Sequence, residues 1–209
     1  IDAMVVAEEL GRGIVLEPIA QAFMASAVLS HYAPAEVQSA WLPRVASGEA
    51  VVVLAHQERK ARYRLDVCDA KAAPAQSGYA VAAIKSVVPA GDKADAFIVP
   101  AQLDGKIALF LVERTASGVT TQGYVTQDGS RAAEVHLVNA PATLITTDGL
   151  AALELAVDTG IAATCAEAVG VMDKTVAITV EYMNQRKQFG VFIASFQALR
   201  HRVADMKMQ

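Results

Sequence analysis

The sequence predicts an α+β chain, with N-terminal helices, a central antiparallel β-barrel or sandwich, and the start of a C-terminal four-helix bundle. Three observations lead there. Apolar residues recur every three or four positions up to about Gly48, short β-rich runs separated by turn residues fill the middle, and the helical period returns from about Asp148. The expected domains are 1–49, 50–147 and 148–209.

In the first zone Met4, Val5 and Leu10, then Val37, Trp41 and Val45, keep the spacing of amphipathic helices, with Pro34 and Gly48 as start and stop signals. The second holds VVVLA at 51–55, YAVAAIKSVV at 79–88, AFIVP at 96–100, IALFLV at 107–112 and AEVHLV at 133–138. Asp104-Gly105 between two of these runs is a strong hairpin signal, and Asp128-Gly129 repeats it. No helical pattern separates the runs, so their pairing should be antiparallel. In the third zone Val157, Ile161, Cys165, Ala168, Met172, Thr175, Thr179 and Met183 mark one face of a helix thirty or more residues long, which needs shielding by neighbours. A second stripe, Ile193, Phe196, Leu199 and Val203, follows Gly190.

Composition narrows the class. Of 209 residues 54% are hydrophobic and 19% charged, which excludes disorder, and a formal charge of −4 argues against protein-wide attraction to nucleic acid or an anionic membrane. No run of about eighteen uninterrupted apolar residues occurs. Cys68 and Cys165 lie far apart without metal or disulfide spacing, and His31, His56, His136 and His201 show no metal pattern, so a reducing cytoplasmic setting and no metal are expected. Because the sequence opens at IDAMVVAEELGRG and closes at RVADMKMQ within a helical pattern, it is expected to be an interior piece of a longer polypeptide.

The most specific motif is Tyr182-Met183-Asn184-Gln185-Arg186-Lys187-Gln188-Phe189-Gly190, followed by Phe196-Gln197 and Ala204-Asp205-Met206. An Arg at a helix corner offers a planar fork suited to a pyrophosphate. Taken singly, Arg186 could instead cap its helix, Phe189 be core and Gln197 a solvated residue. With Glu9-Leu10-Gly11, Trp41-Leu42-Pro43 and Gly48-Glu49, the pattern resembles the acyl-CoA dehydrogenase family over essentially the whole chain. The resemblance implies FAD as cofactor, with Arg186, Phe189 and Gln197 contacting it across a subunit interface.

Within the β zone the resemblance places flavin contacts at Ala55, His56 and Val88, by backbone. The family's Thr-Glu-Pro and Gly-Ser-Asp elements are replaced here by Ala55-His56-Gln57-Glu58-Arg59-Lys60-Ala61-Arg62-Tyr63, and its flavin-facing Thr by Pro89, which has no donor. Glu58, Arg62-Tyr63, Leu65 and Lys85-Ser86-Val87-Val88 resemble the small-subunit type of pimeloyl-CoA dehydrogenase. That type is expected to pair with a larger subunit.

The implied activity is oxidation of the α,β C–C bond of an acyl-CoA to an enoyl-CoA in fatty acid metabolism, with electrons passed to electron-transferring flavoprotein. The alternative is a non-catalytic assembly subunit of a heteromeric dehydrogenase. Homo-oligomer and hetero-oligomer both stay open, and neither membrane nor nucleic acid is an expected partner. No catalytic residue is assigned: the family's usual Glu base falls on a later segment, and its alternative position corresponds to Gly160. Asp158 matches the family's pantetheine contact, against a plain reading as an Asp near a helix start. The basic run Arg59, Lys60, Arg62 and Arg64 suits phosphates or an acidic partner, against a solvated loop.

Overall fold

The computed structural model describes residues 2–209. Three helices come first, α1 (Asp2–Gly13), α2 (Ile19–Tyr32) and α3 (Ala35–Ser47). Gly48 closes α3 at φ 79°, the left-handed stop that glycine provides without a Cβ clash. Strands β1 (Val52–Leu54), β2 (Lys71–Pro74), β3 (Tyr79–Pro89), β4 (Ala96–Leu103), β5 (Lys106–Glu113), β6 (Val119–Val125) and β7 (Arg131–Thr146) follow. Then come α4 (Gly149–Gln185), a two-residue hairpin β8 (Lys187–Gln188) and β9 (Val191–Phe192), a 3-10 turn, and α5 (Gln197–Met208). By compactness the chain forms one unit of Leu16–Ile161 and another of the residues up to Val15 with Ala162–Gln209.

In the larger unit β4, β2, β3, β7 and β5 pair in sequence and β5 pairs back to β4, so the sheet closes, with β6 alongside β7. Closure removes most free edges. One expectation is corrected here: the pairing is not antiparallel throughout, because β1 runs parallel to β4, with Val52 opposite Ala96. A connection of some forty residues lets β1 approach β4 from either direction, whereas the tight turns force antiparallel neighbours. The Asp104-Gly105 hairpin signal holds, with φ 49° and 79° at its two turn residues, the type I′ pattern.

Strand β4 reads as an unbroken apolar run because both its faces are covered. Phe97, Val99 and Ala101 point into the barrel with Val53, Val81, Phe110, Val112, Val135 and Leu137. Ala96 and Ile98 point the other way, with Val52, Leu54, Leu109 and Leu111, onto Met24, Val28, Leu29 and Trp41 of α2 and α3.

Much of the apolar stripe of α4 is exposed in this chain, and a second stripe of smaller residues is buried. Leu153, Ala156, Gly160 and Ala163 are buried, whereas Ile161 is 56% and Met172 59% exposed and Cys165 and Ala168 are exposed. The helix presents its small residues to this chain because its neighbours come very close. A Cβ on Gly160 would lie 2.7 Å from Met24 Sδ, and one on Gly170 would run into the Glu8 carbonyl of α1. Gly11 of α1 likewise lies against the Glu167 carbonyl, and Arg12 pairs with Asp173. By length and apolar composition alone α4 could also cross a membrane. A bundle helix whose bulkier stripe awaits neighbours has the same composition.

Candidate functional site

Two groups of predicted residues come together, one in each compact unit. In the larger unit, Ala55 and His56 follow directly on β1 and Val88 lies on β3, and the two segments are joined directly. The Ser86 N–H donates to the Gln57 carbonyl at 2.9 Å, and the Lys85 ammonium donates to Glu58 Oε1 at 2.6 Å. Ala55 and Val88 are buried, and His56 is partly buried.

Lys85 has no solvent exposure, and it is completed by the Pro100 carbonyl at 2.9 Å. Glu58 also accepts the Asp69 N–H at 2.6 Å and the Ala70 N–H at 3.2 Å. Burial by itself would raise the Glu58 carboxyl, but Lys85 and the two amides outweigh it and the pKa falls below its ordinary value. Cys68 Sγ lies 3.6 Å from Glu58 Oε1 and 3.9 Å from Lys85 Nζ, and burial holds its thiol above the usual range, as an inert core group. His56 is pushed down to about 4, first by burial and then by the charge of Lys85, so the ring is neutral at ordinary pH. Its Nδ1 is buried without a hydrogen-bond partner among the described residues.

Beside Val88 the backbone is strained. Val87 sits at φ 52°, left-handed for a β-branched residue, which costs on the order of 1–3 kcal/mol and persists only where surroundings enforce it. The Ser86 hydroxyl donates to Glu134 Oε2 at 2.8 Å and the Val87 N–H to Glu134 Oε1 at 3.2 Å. A shallow cleft of about 630 Å³, floored by Ala83, Ile84 and Leu137, opens next to Ser86 and Glu58. The basic run is largely matched by acids, Lys60 with Asp69 at 3.2 Å, Arg64 with Asp66 at 2.6 Å and Arg59 with Glu134 at 3.8 Å, as in a solvated loop. Asp158 is exposed nine residues into α4, so it is not a residue favoured by the helix start.

The second group is the corner after α4. The Arg186 carbonyl accepts the Ile193 N–H at 2.9 Å, closing a hairpin in which Phe189 (φ 53°) and Gly190 (φ 79°) form the turn. Phe189 is 92% exposed and stands edge-on to Phe196, centroids 6.3 Å apart, with Gln197 exposed at the start of α5. The Arg186 guanidinium is exposed and takes no hydrogen bond or ion pair among the described residues. Phe189 is therefore not core, and Arg186 does not cap its helix by side chain.

Residues 147–209 match the acyl-CoA dehydrogenase C-terminal domain. The chain is 28% identical over 185 residues to acyl-CoA dehydrogenase FadE27 of Mycobacterium tuberculosis, covering 87% of this chain and 48% of that protein. It superposes on a variant of the Tcur3481–Tcur3483 steroid ACAD with TM-score 0.86 and 28% identity, covering 99% of this chain and 56% of that one. It superposes on the ChsE4–ChsE5 complex from Mycobacterium tuberculosis with TM-score 0.83 and 26% identity, covering 98% and 55%. The domain match and the relatives support the acyl-CoA dehydrogenase family, and the chain spans about half the length of the relatives it matches.

Of the three β-zone residues, Ala55 and Val88 are buried with the Ala55 N–H donating to the Ile98 carbonyl and the Val88 carbonyl accepting the Gly91 N–H, which leaves the His56 Nδ1 as the polar atom without a partner among the described residues. The sequence reading did not find the buried Lys85–Glu58 pair or the Glu134 contacts. A signal for the first was present: Val81, Ala83 and Lys85 share strand parity, so a lysine on the inward face demands a buried carboxylate.

Proposed function

We propose that this chain is part of an FAD-dependent acyl-CoA dehydrogenase that oxidises the α,β bond of an acyl-CoA, with electron-transferring flavoprotein as electron acceptor. The single observation that carries the reading is the corner at 186–197, where an unpaired Arg and a strained, 92% exposed Phe stand together at the end of a long helix. An exposed aromatic in a costly conformation is not explained by this chain's own packing, and a planar fork of donors suits a diphosphate. Arg186, Phe189 and Gln197 would hold FAD of an adjoining subunit, and Ala55, His56 and Val88 would border a flavin in their own β domain. Bound FAD would supply the hydride acceptor. The three zones 1–49, 50–147 and 148–209 are then the domains of the assembled protein, and Asp158 is a pantetheine contact.

A second reading, an assembly subunit without its own base, is favoured by Gly160. A side chain there would meet Met24 Sδ, so the position that could carry the alternative carboxylate is filled by packing. The heteromeric relatives support pairing with a larger subunit, as expected of the pimeloyl-CoA dehydrogenase small-subunit type. Purifying the whole protein alone and with a larger partner, then adding acyl-CoA without oxygen, separates the two. Flavin bleaching in the lone protein supports independent catalysis. Bleaching only with the partner supports the subunit reading, and no flavin in either sample overturns both.

A further inference from the structure

We propose that Glu134 is a positioning residue for the cofactor edge, its carboxylate locking the Ser86–Val87 bulge so that the exposed bulge and the adjoining His56 segment border the flavin in a fixed geometry. The inference rests on the flavin reading above. Its basis is the register of β3 and β7. Lys85 lies opposite Val135 and Val88 opposite Ala133, so Ser86 and Val87 together oppose Glu134 alone. Two residues against one is a β-bulge, a device that re-aims a strand beside a site.

Glu134 occupies the gap that the bulge opens. Its Oε2 accepts the Ser86 hydroxyl at 2.8 Å, and its Oε1 accepts the Val87 N–H at 3.2 Å and the Tyr124 hydroxyl at 3.4 Å. Arg59 stands 3.8 Å from Oε2, and the Glu134 side chain is only 18% exposed. The carboxylate thus replaces the ladder partner that the bulge removes from Val87. Core packing cannot be what holds Val87 left-handed, since the residue is 49% exposed. On the other side the bulge is bonded to the segment that follows β1, through the Ser86 N–H and the Gln57 carbonyl. A conformation set at Glu134 is therefore passed to both segments that border the site, one of which carries the unpartnered His56 nitrogen.

The test compares wild type, Glu134→Gln, Glu134→Ala and the double variant Glu134→Ala/Val87→Gly in the whole assembled protein. Glycine adopts a positive φ without side-chain strain, so the double variant regains the bulge without its carboxylate. The readouts are the FAD dissociation constant on reconstituting apoprotein, the position of the bound flavin's absorption bands, and hydrogen exchange of the Val87 amide in the apo form. Loss of one buried charge-assisted contact predicts about tenfold or more weaker FAD binding and faster Val87 exchange for Glu134→Ala. Glu134→Gln, which keeps the volume and one acceptor, should fall between, and the double variant should recover FAD affinity and band position. If Glu134→Ala or Glu134→Gln lowers stability but leaves FAD affinity and the flavin bands as in wild type, the positioning role is overturned and the flavin reading stands. If wild type itself takes up no FAD, both are overturned.

Discussion

The interior of the β unit contains a fully buried lysine, and its partners decide what substitution would do. Lys85→Met leaves Glu58 buried without its cation, which should cost about 3–5 kcal/mol by urea denaturation, while Lys85→Met/Glu58→Gln should recover part of that loss. Equal costs for the single and double variants would contradict a coupled pair. His56 makes the same region sensitive to acid. Its ordinary value is 6.5 and its folded value about 4, so between these the unfolded chain binds a proton that the folded chain refuses. Its contribution is present above pH 6.5 and is lost as pH falls toward 4, at most about 3 kcal/mol, with Glu58 adding to the loss below its ordinary 4.5. His56→Gln should flatten stability between pH 7 and 5, and an unchanged slope would show that the ring titrates freely when folded. Lys85 was legible from parity along β3, but Glu58 was not, since nothing local shows that a polar loop folds back beneath a strand.

Elements whose signals are local were readable, and those set by distant partners were not. The β4–β5 hairpin follows from Asp104-Gly105, whose two positive φ values suit the strand twist. Strand β6, VTTQGYV, is too polar to stand out and owes its place to pairing along β7. The parallel β1–β4 register is likewise a long-range choice. On α4 the helical period was readable, but the close packing of its small face was not, because glycines at 160 and 170 let neighbours approach there more closely than a bulky stripe allows. Gly170→Ala should therefore lift α1 from α4 and raise amide exchange in α1 by about tenfold or more. Unaltered exchange there would mean that the close approach is dispensable.

At the scale of the molecule, Ile161 and Met172 of α4 are exposed, as are Phe189 and Arg186. The strand-and-helix order could be read from sequence, as could the Arg186–Gly190 corner. That Phe189 and Arg186 stand exposed could not, because exposure depends on which distant segments pack at the corner. The most direct measurement is the FAD content of the purified assembly with wild-type chain and with Arg186→Gln. The wild-type assembly should carry flavin in near-stoichiometric amount, and the variant should bind it about tenfold or more weakly through loss of a charged donor pair to the diphosphate. A colourless wild-type assembly, or one whose FAD affinity ignores the change at Arg186, would contradict the account.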